Sequence, residues 1–120
     1  MKHIVEIIST VFISREQAHR EHLKTRSYAA HVALGEFYDG VIDLVDEFAE
    51  VAMGIYGALP DVPYKQAKAG KIDNILEAHL ECIEDQRCCF DKPCDSPLLN
   101  LIDEIAALYN KTLYKLRRLA

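Results

Sequence analysis

From Ile4 the apolar residues Ile8, Val11, Phe12 and Ala18 recur at steps of three and four, the spacing that lines one face of an α-helix. This predicts a first amphipathic helix over about residues 3–25. Ser27 is the next start signal, because a hydroxyl ahead of Tyr28-Ala29-Ala30 can accept a free backbone N–H of the first turn. Behind it Leu34, Phe37, Tyr38, Val41, Ile42, Val45, Phe48, Ala49 and Ala52 make a wide stripe, predicting a long second helix over 27–57. Gly54, Gly57, Pro60, Pro63 and Gly70 then mark a long connection. Ile72, Ile75, Leu76, His79, Cys82 and Ile83 trace a third helix, expected over 70–90. Ser96-Pro97 opens a fourth, over 96–119, with the pattern of a capping serine followed by a proline at the first helical position. Lys111, Lys115, Arg117 and Arg118 gather near its end, where they complement the helix dipole.

No stretch alternates with period two, so strands are not expected. The prediction is an all-α fold: one domain, residues 1–120, forming an antiparallel four-helix bundle whose long second connection leaves room for a crossover. A length of 120 residues with 50% apolar content is enough for a single core. A formal net charge of −5 disfavours broad contact with nucleic-acid phosphates, and the small basic cluster at Lys111–Arg118 serves the helix end equally well. The most apolar stretch, Ile4–Ile13, is interrupted by Glu6, Ser9 and Thr10, which fits neither a membrane span nor a secretory leader. A cytoplasmic protein is the expectation. Cys82, Cys88, Cys89 and Cys94 crowd together, but two of them are sequence neighbours rather than members of separated pairs, so the spacing suits tolerated thiols better than a zinc knuckle.

Candidate chemistry lies on the first two helices. At 100° per residue, His19 and His22 continue the arc of Ile8, Val11, Phe12 and Arg15, and two histidines three apart on one face can chelate. On the second helix His31 shares the arc of Leu34, Tyr38 and Ile42, while Asp39, Asp43, Asp46 and Glu50 line up along its edge at intervals of four, three and four. Like charges so spaced repel by a few tenths of a kcal/mol per pair, roughly, and solvent, a cationic partner or a metal would offset this. Imidazole nitrogen with carboxylate oxygen is a ligand set suited to iron, manganese or zinc. Glu16 precedes His19 by three, as in di-iron bundles, but a second such motif is missing. His79, on the stripe of the third helix, is a candidate extra or supporting ligand, although a core histidine satisfied by a hydrogen bond is the reading its position favours.

The stretch Ala18–Glu50 resembles the Dps-type branch of the ferritin-like proteins. That family shows a histidine late in the first helix, a second twelve residues on, an aspartate fifteen beyond, and a glutamate four further within an Asp-x-x-Ala-Glu sequence. His19, His31, Asp46 and Glu50 keep those intervals, with Ala49-Glu50 as the dipeptide and Tyr38 matching a family tyrosine. Gly57-Ala-Leu-Pro60 and Asp95-Ser-Pro-Leu-Leu are similar to later family segments, and the Ser27-Tyr28-Ala…Phe37-Tyr38-Asp39 core looks closest to compact Dps-like proteins of bacteriophages. If the helix break at Ser27 is aligned instead, His22 becomes the first ligand; both alignments stand.

The resemblance implies a ferritin-like fold and a homo-oligomer, a dimer at least and at its fullest a dodecameric shell, in the host cytoplasm for a phage-encoded chain. It further implies that His19 or His22 with His31 from one subunit, and Asp46 and Glu50 from another, hold ferrous iron or another divalent metal that oxygen or peroxide oxidises. The chain departs from the family at Gly35, where members often carry another acid, and lacks their basic N-terminal extension. A ferritin-like structural or assembly protein without turnover is the competing expectation.

Overall fold

Apolar residues at helical spacing give four α-helices in the computed structural model, which describes residues 1–120, even where β-branched residues crowd the start of the first. These are α1 (Lys2–Lys24), α2 (Tyr28–Tyr56), α3 (Ile72–Glu84) and α4 (Ser96–Arg118), with 3-10 turns at Arg87–Cys89 and Pro93–Asp95 and no strand. No helix is long and apolar enough to cross a membrane.

The helix ends follow local chemistry. Ser27 Oγ accepts the backbone N–H of Ala30 at 3.2 Å, as its position predicts. Gly57 ends α2 at φ 93°, a conformation that side chains with a Cβ resist. Two boundaries differ from the expectation. The third helix stops at Glu84 instead of continuing toward residue 90, because Phe90 has to leave the helical path to be buried, its ring edge-on to Phe48 at 6.3 Å. At the fourth helix Asp95, not Ser96, occupies the cap position, with Ser96 and Pro97 as the first helical residues. The Asp95 carboxylate makes no cap bond to α4 and instead accepts the Lys92 backbone N–H and the Tyr56 hydroxyl.

The four apolar faces close over one core. Ile7, Ile8 and Val11 of α1 meet Leu34, Phe37 and Phe48 of α2, Leu76 and Ile83 of α3, and Ile102, Ile105 and Tyr109 of α4. Each such side chain, fully buried, contributes about 1.5–3 kcal/mol, so the bundle rests on these faces rather than on helix propensity. Helix α1 packs on α2 and α3, and α4 packs on the same two. End contacts fix which termini meet: His3 with Gln86, Tyr56 with Asp95, and Arg117 with Asp73 and Glu77. The 57–71 segment runs back along α1, where Lys65 pairs with Glu6 at 2.5 Å and the Gln17 amide exchanges hydrogen bonds of 2.8 and 3.2 Å with the Lys68 backbone.

One polar chain crosses the core. Tyr109 donates to Ser14 Oγ at 2.7 Å, so the single Ser14 hydrogen is left to donate to His79 Nδ1 at 2.8 Å. His79 is thus the hydrogen-bonded core histidine the sequence suggests. Burial, followed by the charges of Lys68 and Lys65, pushes it down to about 4, and it stays neutral.

Candidate metal-binding site

The tight Thr25–Ser27 connection folds α2 back on α1 and sets His22 against His31. His22 Nδ1 lies 2.6 Å from the His31 carbonyl oxygen, and His31 Nδ1 lies 2.8 Å from the His22 carbonyl oxygen. A carbonyl only accepts, so each ring carries a proton on Nδ1, and the neutral form of such a ring has its lone pair on Nε2. This is the tautomer in which Nε2 can ligate, with the backbone carbonyl acting as the orienting partner. The two rings stack at 3.7 Å and 18°. Tyr28 extends the stack beyond His31 at 6.4 Å, and His19 stacks on Tyr38 at 4.1 Å with its centroid 6.3 Å from that of His22.

Gly35 is explained by this arrangement. A Cβ there would stand 3.1 Å from His22 Cε1 and 3.3 Å from its Nδ1. A larger side chain at this position, such as an acid, would displace the His22 ring.

His19 and His22 lie against α2, and His31 against α1, rather than at the centre of the core, and all three are half-buried, as are Tyr38 and Ile42. Because the His22 and His31 rings are nearly parallel, their Nε2 lone pairs lie in separate planes and do not converge on one cation at about 2 Å from each. Asp46 and Glu50 do not join them within one chain: fifteen and nineteen residues beyond His31 along α2, at ~1.5 Å per residue, they stand roughly 22 and 28 Å away. No three His, Cys, Asp or Glu side chains of the chain form a ligand set. Any complete site of imidazoles and these carboxylates therefore needs a second copy.

Asp39, Asp43, Asp46 and Glu50 are all exposed. None takes part in an ion pair, whereas Glu36, on the other side of α2, is held at 2.6 Å by Lys115. Hydrogen bonding and the charge of Lys115 keep the Glu36 carboxyl below its usual range. Glu16 pairs with Arg20 at 2.9 Å on the surface, away from a shared site with His19. Arg15 is the residue the sequence reading did not single out. Its Nε is buried without any hydrogen-bond partner, and it makes no ion pair. An arginine inside an otherwise apolar arc is the signal that could have drawn attention to it.

The cysteines lie at the far end. All four thiols are unpaired, and Cys88 and Cys94 are exposed. There the Tyr56 hydroxyl is pushed up strongly by its bond to the Asp95 carboxylate and then by burial. A cleft of about 480 Å³ opens elsewhere, between α1 and the 57–71 segment, lined by Phe12, Ile13, Val62 and Pro63.

The chain is similar to the uncharacterized 14.6 kDa protein in the mobD-ri intergenic region of Enterobacteria phage T4, 26% identical over 113 residues that cover 92% of this chain and 85% of that protein. No solved structure matches it. The match of residues 22–116 to the family of unknown function DUF5856 spans most of the chain, which therefore belongs to that family.

Proposed function

We propose that this chain is a ferritin-like, antiparallel four-helix bundle of Dps type that assembles with copies of itself and takes ferrous iron as substrate for oxidation and sequestration. The observation that carries the reading is the His22–His31 pair: reciprocal carbonyl bonds orient both rings and leave each Nε2 as an acceptor at the surface between α1 and α2. The unpaired acids at Asp46 and Glu50 would supply the hard oxygen ligands from a second protomer, and their charge favours the more highly charged ferric product. Either His19 or His22 would join His31; the stacked pair would rotate one ring, releasing a carbonyl bond, to present two nitrogens to one ion. The meeting of the α2 end with the α4 start, and of the α4 end with the α3 start, supports the ferritin-like path with its long crossover. The relative in phage T4 supports a phage-encoded chain working in the host cytoplasm.

Anaerobic titration with ferrous iron, followed by oxygen or peroxide and ultraviolet absorbance, tests this. Saturable uptake and a rise in absorbance are expected, both reduced in His31→Ala and in Asp46→Asn. A chain that binds no divalent metal as an oligomer refutes it. The second reading, an assembly protein without turnover, is favoured by the absence of a converged ligand set within one chain. Native mass with metal content separates the two: a metal-free assembly that stays inert supports the second.

A further inference from the structure

Two of the four free thiols are sequence neighbours, Cys88 exposed and Cys89 half-buried, on the 3-10 turn Arg87–Cys89 at the end of the molecule away from the histidines. This short turn is firmly held. The Cys89 N–H donates to the Gln86 carbonyl at 3.0 Å and the Phe90 N–H to that of Arg87 at 3.1 Å, while Phe90 is buried and the Arg87 guanidinium grips Glu84 at 2.6 Å and Asp103 at 2.7 Å. Both sulfurs are thus presented from a fixed backbone.

Burial, and then its hydrogen bond to the Cys88 thiol, pushes the Cys89 thiol up, and the charge of Asp91 adds to this. The Cys88 thiol in turn donates to the Asp85 carbonyl at 3.7 Å. Thiols kept protonated in this way are poor nucleophiles. The surroundings favour a cation instead: Asp85 and Asp91 hold no partner in an ion pair, whereas Arg87 is occupied. A direct bond between the sulfurs is geometrically poor, because disulfides need Cα atoms about 4.4–6.8 Å apart and neighbours across a trans peptide stand at about 3.8 Å. An ion inserted between them removes the obstacle. At about 2.3 Å per bond it spans sulfurs up to about 4.6 Å apart, which suits side chains that leave a 3-10 turn roughly 120° from one another. Thiolates select soft ions, copper(I) among them. No third His, Cys, Asp or Glu converges on the pair, which leaves out the four-ligand shell of structural zinc and suits a two-coordinate ion. A cavity of about 150 Å³, walled by Met1, His3 and Tyr56, opens onto Cys89 and gives the ion access to its half-buried side.

We infer that Cys88 and Cys89 form a chelating pair for a soft, two-coordinate cation of the copper(I) type. On binding, two S–H bonds break and two sulfur–metal bonds form, both protons pass to solvent, and no electron is exchanged. The pair is separate from the imidazoles and carboxylates proposed for iron.

Anaerobic titration of the reduced full chain with copper(I) bicinchoninate tests this. One copper per chain is expected to leave the coloured chelator, in the wild type and in Cys82→Ser/Cys94→Ser alike, and Cys88→Ser and Cys89→Ser should each weaken uptake at least a hundredfold. A wild type that takes no copper, single variants that take it as the wild type does, or a Cys82→Ser/Cys94→Ser chain that loses it overturns the inference. If circular dichroism shows a variant unfolded, alkylation of the unmutated chain decides. With copper bound, mass spectrometry should find Cys88 and Cys89 protected and Cys94 modified; loss of protection at either member of the pair overturns the inference. Copper uptake without iron uptake keeps this inference and removes the functional proposal. Iron uptake without copper uptake does the reverse.

Discussion

Lowering the pH should destabilise this bundle through His79 before its carboxylates give way. The His79 ring is 3% exposed and accepts the Ser14 hydroxyl, and burial holds its pKa near 4 against 6.5 in an open chain. As pH falls, the unfolded chain therefore takes up this proton first. The stability from keeping His79 neutral is complete above about 6.5, is lost between 6.5 and about 4, and changes no further below that. At ~1.4 kcal/mol per pKa unit the shift sets a ceiling of roughly 3 kcal/mol. Screening by solvent on the side of Lys65 and Lys68 brings the expected loss to about 2 kcal/mol. Urea unfolding followed by circular dichroism, at steps from pH 7.5 to 4.5, measures it in the wild type and in Ser14→Ala/His79→Leu/Tyr109→Phe, which removes the titrating ring and both hydroxyls it would orphan. The acids held low by Lys115 and Arg117, Glu36 and Glu77, contribute only as pH drops through the carboxylate range, below this window. The variant should lose about 2 kcal/mol less than the wild type across it. A wild type of constant stability between pH 7.5 and 4.5, or a variant that falls as steeply, would refute the reasoning.

Glycine positions offer a matched pair. Gly54→Ala, where an added Cβ meets nothing within 4 Å, should stabilise α2 by about 0.5–1 kcal/mol in thermal unfolding. Gly35→Ala gains the same propensity but pushes the His22 ring, so the two effects should cancel to within about 0.5 kcal/mol while the His22 and His31 ring proton shifts change. Tyr56→Phe removes a donor from the buried Asp95 carboxylate and should cost about 1–3 kcal/mol in urea unfolding. Ser27→Ala removes the cap on α2 and should cost about 1 kcal/mol, read the same way; no change would mean the Ala30 N–H is served by water.

The helical stripes and the α2 cap were legible because they depend on neighbours three and four residues apart. Ser27 is the clearest case: its hydroxyl caps the turn its position announces. What escaped the sequence depends on residues far apart in the chain. Tyr56 reaches Asp95, the residue ahead of α4, from across the bundle, and Phe90 is buried edge-on to Phe48 beyond the end of α3. The histidines were visible as a group on one arc, but their reciprocal bonds to each other's backbone arise only when α2 folds back. Gly35 reads as a missing acid in sequence and as room for an imidazole in three dimensions. The acidic row on α2 was equally visible, and its distance from His31 within one chain follows from helical rise alone.

The 57–71 segment is fastened to α1 by side-chain amide and ammonium groups and rests Leu59 and Val62 on the edge of the core, while the seams between the helices lie beneath it. A peptide-bond break beside exposed Gly70 would therefore divide the molecule into two helical hairpins without cutting any seam. Each hairpin alone would present a naked greasy face to water, and together they would refold into one noncovalent particle. The polypeptide is in this sense a pair of interlocking halves, open to split-reporter engineering at its strap.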